Sequence, residues 1–336
     1  MYDSNTFTLD SGFFGFFYTI LRPIEWLQTW VMKLFHDFLV LIGFQEGPGL
    51  AWVLSIVFLV LVVHAIILPV WWHSMKSMRK TQAIQPELMK IQRKYKGKTD
   101  PASREAMSRE TMKLYQDAGA NPMGSCGIAI VQGPAFMSVW YTLSAVSYIA
   151  TGVREPLGAF TQDVAQDFAA SNAFGVSLSQ RFLESDTHGK IVMGVFIALM
   201  CLTLFFLQFN NMRKNLPKAS MQGSMYTMQK AMAFGFPVMY IFSGVMFPFA
   251  VLVYWITNNV CNLIRSQYQI FAIPTPGSPA AEEKEIRDHK RENARRAKAG
   301  QASLEEEALV KAKEEAERKA ETGYQRQQPN RRKKRK

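Results

Sequence analysis

Residues 51–70, AWVLSIVFLVLVVHAIILPV, carry no formal charge. At about 1.5 Å per residue, a helix of about 20 residues is roughly as long as a bilayer's hydrocarbon core is thick, about 30 Å. His64 is its only titratable side chain. A polar group in hydrocarbon is costly and turns toward a bundle interior or a wet cavity, so this helix is expected to have a lipid side and a protein or water side. The rest of the chain is read as arranged around the second side.

Charge is distributed in blocks. Ahead of the first span, residues 10–43 place Arg22, Glu25, Thr29, Lys33 and His36 at helical spacing on one face. Ile24, Leu27, Val31, Leu34, Phe38 and Leu41 occupy the other, and Pro23 is suited to a first helical position. This pattern predicts an amphipathic helix lying in the membrane interface; a tilted span packed against other helices is the alternative. Gly47, Pro48 and Gly49 break the chain before the first span. No basic n-region precedes an apolar core and small-residue cleavage site at the start, so no cleavable signal peptide is expected.

After Pro69 the sequence turns basic, from Lys76 to Lys113. By the positive-inside rule this segment is cytoplasmic and the N-terminal side of the first span is outside. Ile84, Leu88, Ile91 and Tyr95 make one helical stripe, and Met107, Thr111, Leu114 and Ala118 another. A turn is expected at 97–99, with Asp100 as cap, Pro101 opening the second helix and Gly119 closing it. The segment is read as a helical hairpin.

Further apolar runs follow at 126–150 and 191–209, separated by a loop, 151–190, with an acidic bias that suits the external side. Residues 231–264 then carry no charge. Roughly 34 residues would be about 51 Å long as one helix, too long for a single crossing. Gly244 and Pro248 offer a break into two antiparallel spans, with one span plus a re-entrant piece as the alternative. Residues 281–320 are read as one solvated helix. The terminal Arg331, Arg332, Lys333, Lys334, Arg335 and Lys336 suit ribosomal RNA or anionic lipid, or else a disordered solubilising tail.

The expected fold is therefore all-α: a polytopic membrane protein of five spans (about 51–71, 126–150, 191–209, 229–246 and 249–268) with a hairpin at 74–119. An N-terminal interfacial segment (1–49) precedes a core (50–270), and a basic cytoplasmic tail (271–336) follows. The N-terminus lies outside and the C-terminus inside.

Phosphate loops, GxSxG, HExxH and CxxC are absent from the sequence, and the five histidines are scattered. No catalytic residue, metal or cofactor is expected, and no enzymatic activity. Cys126, Cys201 and Cys261 fall in apolar segments and read as buried thiols. The missing paired carboxylates count against a proton- or cation-coupled transporter. Neutral polar residues do occur in the spans, among them Gln132, Thr203, Gln208, Asn258, Asn259 and Asn262; they either hydrogen-bond between helices or, with His64, line a hydrated recess.

An ordered set of pieces resembles the YidC/Oxa membrane protein insertase family. The pieces are His64 through Pro69 closing the first span, Gln85-Pro86-Glu87-Leu88 in the hairpin, Tyr115 ahead of Asn121-Pro122, Cys126, and Gln132-Gly133-Pro134-Ala135-Phe136. Met228-Gln229-Lys230, Pro237, Pro248, Tyr254-Trp255 and Asn258-Asn259 complete the order. The resemblance covers about residues 50–270.

It implies a bacterial plasma-membrane insertase and chaperone, functional as a monomer without a nucleotide. Nascent membrane proteins would be its clients, and the Sec translocon, the ribosome and anionic lipids its partners. It also implies a hydrophilic groove open to cytoplasm and lipid, with His64, Gln132, Asn258 and Asn259 as groove residues and Phe136 on the surface along which a client helix slides. Two positions depart from the family pattern: His64 stands where an arginine is usual, and Ile128 where a proline often follows the cysteine. Histidine, unlike arginine, is not permanently charged, so a fixed positive charge at position 64 is not expected. A solute channel or transporter and a ribosome-recruiting anchor remain the other classes, although no internal repeat supports the first.

Overall fold

The computed structural model describes residues 12–45, 50–121, 127–218, 221 and 224–321. The break at 47–49, Pro122, Cys126, the side chain of Ile128 and the terminal basic residues 331–336 lie outside this description. Among the described residues the chain is all-α apart from one short antiparallel pair of strands, β1 (Asn172–Ala173) and β2 (Val176–Ser177), in which Asn172 faces Ser177. It divides into two units, residues up to 281 and residues from 282 on.

The first unit is built on α2 (Ala51–Ala83), which packs against α1 (Gly12–Leu41), α5 (Gly127–Ala150) and α9 (Phe249–Ala272). α7 (Thr187–Asn210) and α8 (Ser224–Met246) complete the bundle, α7 lying against both α8 and α9. α2 continues past Pro69 to Ala83, so the segment expected to begin a hairpin at 74 starts inside the first helix. A proline removes one backbone donor and crowds the carbonyl four residues earlier; flanking helices absorb that disturbance in a bundle.

By length and composition, α2 and the segment Thr187–Asn215 are the helices among the described residues that are apolar enough to cross a bilayer. α5, α8 and α9, at 24, 23 and 24 residues, are also about 35 Å long. Polar, glycine and proline residues dilute their apolar character. The uncharged run from 231 divides at the expected place: α8 stops at Met246, and Pro248 in extended conformation caps α9.

The densest packing lies where α2 begins and α5 ends. The Trp52 indole is buried, donates to Asp167 Oδ2 at 2.6 Å, stacks on His36 at 4.0 Å, and meets the rings of Phe160 and Phe168 at 5.5 and 5.4 Å. α6 (Gln162–Ala170) is tied to α5 by Gln166 Nε2 donating to the Ala150 carbonyl at 3.1 Å. The backbone N–H groups of Phe249 and Ala250, which α9's first turn leaves without helical partners, donate to Gln180 and Leu178 at 2.9 and 2.8 Å. Gly158 has φ +56°, and a Cβ there would lie 2.2 Å from Thr29 Oγ1 and 3.0 Å from the Trp26 carbonyl. A residue without a side chain is thus what lets this loop close onto α1.

α1 is amphipathic as expected, but its faces are turned the other way. Glu25, Thr29 and His36 are buried, whereas Leu34, Phe38 and Leu41 are exposed at 67%, 53% and 83%. The polar row finds partners inside the fold: Gln28 Nε2 donates to Ser138 Oγ at 2.8 Å, and Thr29 Oγ1 accepts from the Ala159 N–H at 3.1 Å. The apolar row is left exposed.

α3 (Gln85–Lys94) and α4 (Pro101–Asp117) pack on each other through a turn with Gly97 at φ +84°. Asp100 caps α4, accepting from the Ser103 N–H at 2.8 Å. Glu110 accepts from Lys94 at 2.5 Å and from the Tyr95 hydroxyl at 2.9 Å. Cys201 and Cys261 are half-buried free thiols.

The second unit contains most of α10 (Pro279–Lys298) and α11 (Leu304–Glu321), so the helix expected over 281–320 is broken. Gly300 takes φ +66°, and Ser303 and Glu306 make a reciprocal capping box: Ser303 Oγ accepts from the Glu306 N–H at 3.2 Å, and the Glu306 carboxylate from the Ser303 N–H at 2.9 Å. Glu307 joins the two helices, accepting from Lys311 at 2.6 Å and from Arg296 at 2.5 Å. These two cations hold its carboxyl down to about 2 from an ordinary 4.5. A depressed acid contributes stability above its unfolded value and loses it as pH falls through the folded one. The α10–α11 pairing is therefore expected to hold at pH 5 and to loosen between about 4.5 and about 2, seen as faster amide exchange around Leu304, and Glu307→Gln should remove most of that pH dependence. The pair is solvent-exposed, so the effect is small and falls with added salt.

Candidate functional site

One face of α9 is polar. Asn258, Asn262, Arg265 and Gln269 follow one another at intervals of four, three and four residues, a spacing that aligns them on one side of a helix. With Trp71 of α2, Asn211 and Tyr240 they line a cavity of about 250 Å³.

The Arg265 guanidinium donates to Asn262 Oδ1 and stands 5.8 Å from the centroid of the Trp71 ring. Its Nε and Nη1 are buried with no hydrogen-bond partner among the described residues, as is Asn258 Oδ1. Asn259 is buried and donates to the Met200 carbonyl at 3.4 Å, which joins α9 to α7. His64 is buried, both of its ring nitrogens lack a partner among the described residues, and it lies within electrostatic reach of Arg265.

This cavity is the middle of three. Toward the α3–α4 side, Asn211 and Gln269 also border a second cavity of about 260 Å³, lined further by Gln82, Gln208, Asn215 and Gln229. The last turn of α7 widens here into a π-helix, Asn211–Asn215. That turn aims carboxamides inward: Asn211 accepts from Ser266 Oγ at 3.1 Å, and Asn215 from the Thr275 N–H at 2.9 Å. Leu204 and Tyr240 border the middle cavity and a third one of about 420 Å³, which is apolar and lined by Phe136, Phe236, Met239, Phe247 and Trp255. Phe136 stacks on Trp255 with ring centroids 5.8 Å apart and an interplanar angle of 7°.

The expected residues are thus only partly gathered. Asn258 and Asn259 line the middle cavity, His64 is near its cation, and Phe136 belongs to the apolar neighbour. Gln132, on α5, has both amide atoms buried without a partner among the described residues and lines none of the three cavities. Arg265, Asn211, Asn215 and Gln269 are not among the site residues expected from sequence, and Gln229 enters there only as part of a family motif. For Arg265 and Gln269 a signal was present, the helical spacing from Asn258. For the residues of the π-turn there was none, because an α-helical period does not anticipate the extra residue.

Residues 43–273 match the family described as 60Kd inner membrane protein. The chain is 61% identical to the membrane protein insertase YidC of Bifidobacterium longum over 99% of its own length and 100% of the relative's. It is 34% identical to the YidC of Tropheryma whipplei, covering 81% of this chain and 90% of that one. With the YidC of Streptomyces avermitilis it shares 32% identity over 75% of this chain and 58% of the relative. The chain therefore belongs to the 60Kd inner membrane protein family, the YidC/Oxa insertases.

Proposed function

We propose that the chain is a membrane protein insertase that receives nascent membrane proteins and passes them into the bilayer through the row of three cavities. The observation that carries this reading is the gradient along the row: carboxamides at one end, asparagines and an arginine in the middle, aromatic side chains at the other, with shared residues at each junction. A client's polar tail costs free energy wherever it leaves water, and polar groups carried into the bundle shorten the distance over which it is bare. Its hydrophobic segment gains by leaving water for the apolar cavity and the lipid beyond. Buried nitrogens and oxygens at His64, Asn258 and Arg265 that have no partner among the described residues call for water or a client's polar groups.

In this reading α2, α5, α7, α8 and α9 are the five spans of a bacterial plasma-membrane protein. The basic α3–α4 pair is cytoplasmic, the loop 151–190 is external, and α1 is embedded with its apolar row toward lipid. The N-terminus is outside and the C-terminus inside, a reading that the charge bias of the loops supports. The Sec translocon would share some clients, and the basic terminus would meet the ribosome or anionic lipid.

Photo-crosslinkers placed at positions 64, 132, 136 and 258 of the full chain, with a ribosome-stalled single-span client, test the route. Positions 64 and 258 should capture the client's polar tail and position 136 its hydrophobic segment, while Ile191, exposed on α7's first turns, should capture neither. A channel or a bare anchor would give no crosslink inside the bundle, and that outcome would overturn the reading.

A further inference from the structure

We infer that Phe174, at the tip of the β1–β2 hairpin, is a lipid anchor: its ring enters the acyl region of the outer leaflet and seats the loop 151–190 on the bilayer. The inference rests on the reading in which α7 spans the membrane and that loop is external, and adds to it a lipid-binding residue. Phe174 and Gly175 join the two paired strands, with φ +56° and +77°. Positive φ at both loop positions is what a type I′ hairpin turn requires, and Asn-Gly or Asp-Gly fills it best. Phe174 is the one residue other than glycine with a positive φ among the described residues. A bulky aromatic side chain is a strained choice there, and strain of this kind persists where it serves a function. Packing inside the protein does not offset it, because Phe174 is 67% exposed.

The neighbours identify what surrounds the ring. His188 Nε2 donates to the Phe174 carbonyl at 2.8 Å, which pins the backbone of the tip beside the first turn of α7. The ring reaches on to Phe196, with centroids 5.8 Å apart, and Phe196 lies about 14 Å along α7 from Thr187. Ile191, Val195, Leu199, Leu202 and Phe206 are exposed at intervals of four, four, three and four residues, one apolar row on a helix apolar enough to cross a bilayer. Thr187, His188 and Lys190, in the turn before that row, are exposed and polar. Polar residues followed by apolar ones match a headgroup layer followed by an acyl layer; the backbone of the tip sits at the first level and its ring extends toward the second. Lipid that covers the row of α7 covers this ring as well, and moving the ring from water into hydrocarbon is favourable. Gln180 and Leu178, just past β2, accept from the first turn of α9, so an anchored tip also steadies the start of that helix.

The test uses the full chain with Cys126→Ala, Cys201→Ala and Cys261→Ala in phosphatidylcholine vesicles. A polar nitroxide label is attached in turn at Phe174→Cys, at Asp163→Cys on α6 and at Leu202→Cys in the row of α7. Collisions with oxygen, which concentrates in the bilayer, and with a nickel chelate, which stays in water, read the depth of each label. The oxygen-to-nickel ratio at position 174 should be several-fold above that at position 163 and approach that at position 202. A ratio at 174 equal to that at 163, with 202 high, overturns the inference and leaves the spanning reading of α7 standing. A low ratio at 202 as well means that α7 does not lie in the bilayer, and both readings fail. On the unsubstituted chain in nanodiscs, acyl methylene protons should transfer magnetisation to the Phe174 ring, a signal identified by its loss in Phe174→Leu. Its absence overturns the inference even if the labelled variants misfold.

Discussion

Trp52→Ala is expected to destabilise the fold by about 3–5 kcal/mol, the range for emptying a buried aromatic site that cannot collapse. Trp52 is 1% exposed and touches three elements at once: His36 on α1, Phe160 in the loop before α6, and Phe168 with Asp167 on α6. Removing it leaves a cavity and takes the indole donor from the Asp167 carboxylate, leaving His36 Nε2 at 3.4 Å beside the same oxygen. Thermal unfolding of the purified protein in detergent should show the loss, and limited proteolysis should reach the loop 151–190 earlier. Trp52→Phe should recover most of the stability, since it keeps a ring against His36 and forfeits the hydrogen bond. A midpoint for the alanine variant within a degree or two of the unsubstituted chain would show that these elements do not depend on Trp52.

His64→Leu is expected to act in the opposite sense on stability and activity. Leucine fills a similar volume and removes two buried nitrogens that have no partner among the described residues, so the fold should be as stable as before or more so. Insertion should fall about ten-fold, because each polar group the client must strip without compensation costs roughly 1–3 kcal/mol. His64→Gln, which keeps donors and an acceptor at the site, should insert nearly as well as histidine. Growth of cells depleted of the native protein and pulse-labelled insertion of a client read the activity, and thermal unfolding reads the stability. If leucine supports insertion as well as glutamine does, keeping the groove wet is not the role of position 64.

Much of the architecture was legible because it rests on local signals. The all-α fold, the cap at Asp100 and the break at Pro248 follow from charge patterning, a capping residue and a proline. The α1 helix was legible as a helix but not in its orientation. Amphipathicity says that two faces differ, and only the partners in the fold decide which one turns inward; here Ser138 and Ala159 pair with Gln28 and Thr29, and the polar face goes in. The break in the terminal helix was written at Ser303 and Glu306, but those residues sit in a run of alternating charge that reads equally well as continuous helix. Arg265 was hidden for another reason. A basic residue near the end of an apolar run is normally a topology signal, and only the convergence of α2, α7, α8 and α9 makes it part of a cavity. Gln132 shows the reverse limit: its motif singles it out, yet it does not line the cavity that Asn258 lines.

Trp52, Phe160, Phe168 and the first turn of α9 form one buried cluster, and its position bears on the proposed topology. Its side chains are almost completely buried, and the three polar-to-apolar cavities are lined by residues other than these. In the topology proposed above, water admitted from the α3–α4 side would meet this layer before it reached the far surface. Each elementary charge that leaked across a membrane held at 100 mV would dissipate about 2.3 kcal/mol of stored energy. In that topology, a well closed at its floor would let a resting insertase stay hydrated without discharging the gradient that the rest of the cell works to maintain.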